Sequence, residues 1–185
     1  MILENLNRPA EVGLGNANPS GTALHFYMAE WRNDMGITWD PLAANFAALA
    51  AIDFADLTGF GAGDLVRIDH VQHIGEVRDN QIGEEGGREF QHELEFMLAK
   101  NTAQHLGFLG ATANSRLVFF VPMMDGNFRV VGNDKWPAVR PTGSAKSNKK
   151  PGDTPAAGQM NTWESFGPCP AHILNATETQ LQTLL

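Results

Sequence analysis

Phe90-Gln91-His92-Glu93-Leu94-Glu95-Phe96-Met97-Leu98 alternates apolar and polar side chains: 90, 94, 96 and 98 are apolar, 91, 93 and 95 are polar, and His92 is the one exception on the apolar face. A period of two sends successive side chains to opposite faces of an extended chain, so the stretch predicts a strand with one face buried and one solvated. Just beyond it, Asn101-Thr102 offers a side-chain oxygen to the free amides of a following helical turn. Leu106 and Leu109, three apart, fall on one face of that helix, which Gly107 weakens. Leu117-Val118-Phe119-Phe120-Val121 is apolar on both faces and predicts a strand covered on both sides or lying in a subunit contact. Asp125-Gly126 signals a hairpin, from which Phe128-Arg129-Val130-Val131 returns antiparallel. From Arg88 to Gly132 the order is therefore strand, helix, strand, turn, strand.

Upstream, residues 1–21 hold so many Asn, Gly and Pro breakers that they predict an extended N-terminal arm. A strand follows over 22–29, with Leu24, Phe26 and Met28 on one face. Asp40-Pro41 supplies an N-cap and a first-turn proline, and Leu42, Phe46, Leu49 and Phe54 recur near helical spacing, which predicts a helix from about Pro41 to Ala51. Leu65 to Ile74 reads as a strand, with Val66 and Ile68 on one side and Leu65 and Val71 on the other. Gly75 to Gly87, carrying Glu76, Asp79, Glu84 and Glu85, reads as a long loop or the tip of a long hairpin. The polar run from Pro141, with Lys146, Lys149 and Lys150, predicts a flexible loop over 141–160. Thr162 to Phe166 reads as a strand, Pro168-Cys169-Pro170 as a bend, and Thr177 to Leu185 as a helix or strand. The expected fold is α+β and mainly β, with antiparallel sheets, one or two short flanking helices and long loops, in one domain spanning 1–185.

The 13 Lys and Arg against 21 Asp and Glu give a formal charge of −8, which argues against affinity for a phosphate backbone as the main activity. Cys169 is the single cysteine, so an intrachain disulfide framework and a four-thiolate zinc site are excluded, and a reducing compartment is the default. The start Met1-Ile2-Leu3-Glu4-Asn5 has no basic region before an apolar run, and no window approaches bilayer-spanning length; neither an export address nor a membrane partner is expected.

Three catalytic constellations fall short. His70, His73 and His92, with Glu93 and Glu95, suggest a metal, but on strands His70 and His73 point to opposite faces and the helical His-Glu-x-x-His pattern is missing. Cys169 and His172 are three apart in a Pro-rich turn, a spacing that says little about nucleophile activation. No Gly-x-Ser-x-Gly elbow is present, and Gly143-Ser144-Ala145-Lys146 is only superficially a Ser-Lys motif. Glu93 and Glu95 share the polar face of a strand, a solvated or lumen-facing pattern, and the lysines at 146, 149 and 150 suit a solvated loop or salt bridges to the acidic 76–89 segment of a neighbouring subunit. No catalytic residue, metal ligand or cofactor is expected, and the chain does not read as an enzyme.

In order and spacing the chain resembles phage and prophage virion proteins, most closely tail-tube proteins of Bacteroidetes-type phages. The likeness runs through Asn18-Pro19-Ser20-Gly21 before the first strand, the strand Glu89 to Leu98, the short helix after Asn101, Arg116 to Val121, Asp125 to Gly132, Thr142-Gly143-Ser144-Ala145, and Trp163 to Ile173 with Pro170-Ala171. The resemblance implies a β-sandwich or β-barrel subunit of a homohexameric ring. Rings stack, their inner strands form a continuous barrel for passage of DNA without sequence-specific binding, and the arm and long loops bridge neighbours. It places the family's inner hairpin between Asp64 and Leu98, with Glu84 and Glu85 near its tip and Glu93 and Glu95 facing lumen or solvent. Partners would be copies of the chain and other tail proteins, in a virion tail assembled in the host cytoplasm. A basic, Pro-rich insert at 145–160 and extra helix signal over 31–60 depart from the pattern, so a tail-terminator, neck or baseplate component stays open. So do a small ligand- or carbohydrate-binding β module, in which Trp31, Trp39, Trp136 and Trp163 would gather at one cleft, and a metal-dependent hydrolase using the histidines.

Overall fold

The computed structural model describes residues 25–39, 50–71, 75–99, 102–123, 126–146 and 158–185. The strands are β1 (His25–Glu30), β2 (Gly36–Ile37), β3 (Ala51–Asp53), β4 (Leu57–Thr58), β5 (Val66–Asp69), β6 (Gly75–Ile82), β7 (Glu89–Ala99), β8 (Leu117–Pro122), β9 (Phe128–Val131), β10 (Val139–Lys146), β11 (Gly158–Gly167) and β12 (Ile173–Asn175). Helices α1 (Ala103–Ala111) and α2 (Glu178–Gln182) and one 3-10 turn (Phe54–Asp56) complete the described elements. The protein is mainly β, as expected.

Two sheets carry the architecture. One has six strands in the order β3-β12-β9-β8-β1-β5, the other four in the order β10-β11-β7-β6, and a two-stranded β2-β4 pair stands apart. All pairings are antiparallel except β12 with β3. Phe26 and Met28 of β1, Phe119 of β8, Leu94 and Phe96 of β7 and Trp163 of β11 share one core between the two sheets. The Phe26 ring lies 4.6 Å from Phe96 and 5.7 Å from Phe119, and Phe119 lies 5.3 Å from Trp163. Each such buried ring contributes about 2–3 kcal/mol by area alone.

The six-stranded sheet is buried on its other face as well. There Tyr27, Val118, Phe120 and Val130 meet Leu181 and Leu184 from the C-terminal segment and Ile37 and Leu65 from the 31–65 segment. That double cover explains why every residue of β8 is buried, and why Tyr27 and Ala29 sit in the second core although they alternate with Phe26 and Met28. Only one face of β1 is marked by its sequence period; Leu24, assigned to that face, lies outside the described residues.

Local chemistry sets the ends of the elements. Thr102 caps α1, its side chain accepting from the His105 amide at 3.1 Å, and Thr177 with Gln180 forms a capping box on α2, which settles the 177–185 segment as a helix. The apolar face of α1 differs from expectation. Leu106 is 46% exposed, while His105 and Phe108 are buried. Helical spacing alone does not say which side of a short helix meets the core, and here Arg140 of β10 decides it: its guanidinium stacks over Phe108 and Trp163 and donates to the carbonyl of Leu109 at 2.9 Å, tying the helix down on that side.

The 75–87 segment is a hairpin arm more than a loop: β6 takes up Gly75–Ile82 and pairs with β7 throughout, leaving residues 83–88 as the tip. Gly83 (φ +89) belongs there, because a Cβ would come within 2.4 Å of the Gly87 carbonyl oxygen. The run 141–160, expected as a flexible loop, is strand at both ends, in β10 to Lys146 and in β11 from Gly158. The arm 1–21, nearly all of the 41–51 helix and Asp125 lie outside the described residues; Ala51 begins β3.

Candidate functional site

The solvent-facing side of the four-stranded sheet is acidic, and strand register shows why. Glu76 lies directly opposite Glu95, which lies opposite Thr162; Arg78 lies opposite Glu93, which lies opposite Glu164. Glu89, opposite Ile82, has the same parity on β7, so five carboxylates share one face with a single guanidinium. Arg78 reaches Glu76 at 3.0 Å, Glu95 at 3.4 Å and Glu93 at 4.0 Å, and Gln91 donates to Glu164 at 2.7 Å. Like charges directly across a ladder are destabilising, and Arg78 relieves part of that while leaving the face net negative.

Glu93 and Glu95 therefore sit where alternation puts them, and Glu84 and Glu85 are exposed at the hairpin tip. Lys146 ends β10, whereas Lys149, Lys150 and His73 lie outside the described residues. Arg78 and Glu164 join the same face without having been singled out, and Glu76, read as part of an acidic loop or hairpin tip, joins it as well. The alternation of Glu76, Arg78 and Asn80 was a readable signal, obscured by the glycines that follow. Among the described residues no strand lies beyond β6 or β10, which are the edge strands of this sheet.

On the inner face, at the end of the sheet where β7 starts and β11 finishes, lies a second constellation. His92 pairs with Asp79 across the ladder, and its Nδ1 is 2.8 Å from Asp79 Oδ1. The same carboxylate accepts from the Ala171 amide at 3.1 Å and from the Arg129 guanidinium. Burial pushes the Asp79 carboxyl up, but the hydrogen bonds from His92 and Ala171 and the charge of Arg129 outweigh it and bring it down to about 2. His92 and Asp79 are far from Glu93 and Glu95 in environment, since the latter two point out through the opposite face. His70 is buried against Phe26, its ring 5.8 Å away. Among the described residues no three His, Cys, Asp or Glu side chains converge as a metal site requires.

The His92 end opens into a cleft of about 370 Å³, whose lining includes Trp39, Trp136, His172 and Gly167. Two of the four tryptophans gather here; Trp163 is in the inter-sheet core and Trp31 packs against the second core. Cys169 and His172 do meet, with Sγ 3.3 Å from Nε2. Burial, then the Asp79 charge, pushes the thiol up, and burial, then the neighbouring His92, lowers His172 to about 4. The pair is therefore a neutral thiol beside a neutral imidazole near pH 7, not a thiolate poised for attack.

Comparison with known proteins finds no matching family model, no matching curated protein and no matching solved structure. No helix among the described residues is long and apolar enough to cross a membrane.

Proposed function

We propose that the chain is a self-assembling virion structural protein, a phage tail-tube subunit, whose four-stranded sheets join edge to edge around a channel for DNA. The observation that carries this reading is the four-stranded sheet itself, acidic on its solvated face and, among the described residues, with no strand beyond β6 or β10. Its strands alternate in direction, so with an even number of them β6 and β10 run opposite ways. A copy related by rotation about an axis along the strands then presents its β10 antiparallel to the β6 of its neighbour. Head-to-tail addition of this kind extends the antiparallel ladder without a break and closes into a ring.

The strands are matched, since β6 and β10 each span eight residues. A hexameric ring makes a barrel of roughly 24 strands and, at ~4.8 Å between strands and ordinary tilt, a backbone diameter of roughly 40–50 Å. With the second core covering the opposite side of the six-stranded sheet, the acidic face is the one left to turn toward the channel. There Glu76, Glu93, Glu95 and Glu164 repel phosphate and keep passing DNA from sticking. The chemistry is mechanical and electrostatic; no step needs a nucleophile.

Electron microscopy of the purified chain, with sedimentation over a range of concentrations, tests the reading. Rings or tubes with a central channel are expected. A chain that remains monomeric at high concentration refutes it.

A further inference from the structure

The cleft beside His92 has no part in ring closure, yet it is built with care. Asn133 organises its rim: Oδ1 accepts from the amides of Lys135 and Trp136, both at 2.9 Å, and Nδ2 donates to the Phe166 carbonyl at 3.1 Å. The turn so fixed holds Trp136 at the mouth, 41% exposed. A large indole left in water on a rigid turn is a preformed contact surface, whose ordering cost has been met by folding. Trp39 supplies a second aromatic wall, with its ring 5.0 Å from His172.

The floor carries one defined polar atom. The ionised Asp79 can only accept, so Nδ1 of His92 must bear the hydrogen, which leaves Nε2 as the ring's second hydrogen-bonding atom. His92 is 4% exposed. Residue 167, beside that Nε2, is glycine: a Cβ there would stand 2.9 Å from the nitrogen. Gly167 and His92 both line the cleft.

Charge is balanced. Asp79 is paired with Arg129 beneath the floor, Asp134 and Lys135 lie together at the lining, and His172 stays neutral near pH 7. Neither an anion nor a cation finds an excess of opposite charge. A volume of about 370 Å³ is at the small end for ligand sites.

We propose that this cleft binds a neutral pyranose sugar, the C–H face of its ring stacked on Trp136 and one hydroxyl hydrogen-bonded to Nε2 of His92. A pyranose combines the two properties the lining asks for, an apolar face for the indoles and hydroxyls that both donate and accept for the imidazole nitrogen. The remaining hydroxyls meet Asp134 and Lys135 at the rim. The inference is independent of the tube reading, which uses the opposite face of the sheet.

The test is a titration of the purified full-length wild-type protein and of the W136A and G167A variants with methyl glycosides of glucose, galactose, mannose and N-acetylglucosamine. Binding is read by tryptophan fluorescence and by saturation-transfer NMR, with glucose 6-phosphate and glucuronate as charged counterparts. Thermal melts confirm folding, and W136A, on an exposed turn, is the variant least able to disturb it. At least one neutral glycoside is expected to saturate the wild type, to bind at least tenfold more weakly to both variants, and to outcompete its charged counterpart. The proposal is overturned if no neutral glycoside saturates, if both variants bind like the wild type, or if the charged sugars bind more tightly. Ring formation should persist in W136A whatever the sugar result, which separates failure of this inference from failure of the tube.

Discussion

Replacing Asp79 with Asn keeps the side chain's shape and removes its charge, and the structure says what that costs. The carboxylate is 16% exposed and accepts from His92, from the Ala171 amide and from Arg129. Its folded pKa of about 2 against an ordinary 3.8 corresponds to about 2 kcal/mol of stability, at ~1.4 kcal/mol per pH unit. The variant also leaves the half-buried Arg129 without its counterion, a further penalty of about 1 kcal/mol or more. Asp79→Asn should therefore lower unfolding free energy by about 2–4 kcal/mol at pH 7. The sign with pH follows from the depressed value: the ionic contribution is fully present well above pH 3.8 and is lost as pH falls through 2. The gap between wild type and variant should accordingly narrow by about 2 kcal/mol between pH 5 and pH 2. Urea denaturation of both proteins across that range, followed by tryptophan fluorescence, measures it. A difference below about 0.5 kcal/mol at pH 7, or one that stays constant down to pH 2, refutes the account of Asp79 as the hub tying β6, β7, β9 and the 168–172 bend together.

Two further outcomes are expected. His172 is held neutral by burial, with a folded pKa near 4 against 6.5, so stability should fall as pH drops from 6.5 toward 4 as the unfolded chain takes up the proton. His172→Gln should flatten that decline by about 2 kcal/mol in melts run across the window. At the hairpin tip, Gly83→Ala should cost about 1–3 kcal/mol, because a positive φ is joined by a clash with the Gly87 carbonyl. Gly86→Ala, with φ +91 but open space, should cost about 1 kcal/mol; chemical denaturation of the two variants, if it ranks them the other way, contradicts the geometry.

Much of the fold was legible because its signals are local. Alternation in 90–98 marks the faces of β7, the doubly apolar 117–121 foretells a strand buried on both sides, Gly126 (φ +88) turns the β8–β9 hairpin, and Thr102 starts α1. Each depends on a few neighbouring side chains and the backbone period they impose. The α1 face was misjudged for the same reason: Leu106 and Phe108 are both apolar, and only the position of Arg140, far along the chain, makes Phe108 the buried one.

What the amino-acid sequence determined by itself, then, is the type of most elements, the sign of the surface charge and which strand faces are polar. Only the tertiary structure decided that β11 lies beside β7, bringing Glu164 opposite Glu93, and that Asp79 and His92 are ladder partners. It alone brought Trp39 and Trp136 to one cleft. The physical reason is that periodicity assigns a side chain to a face of its own strand, whereas the order of strands in a sheet is set by pairings between distant segments, whose energy is shared over whole buried faces and belongs to no short stretch of chain.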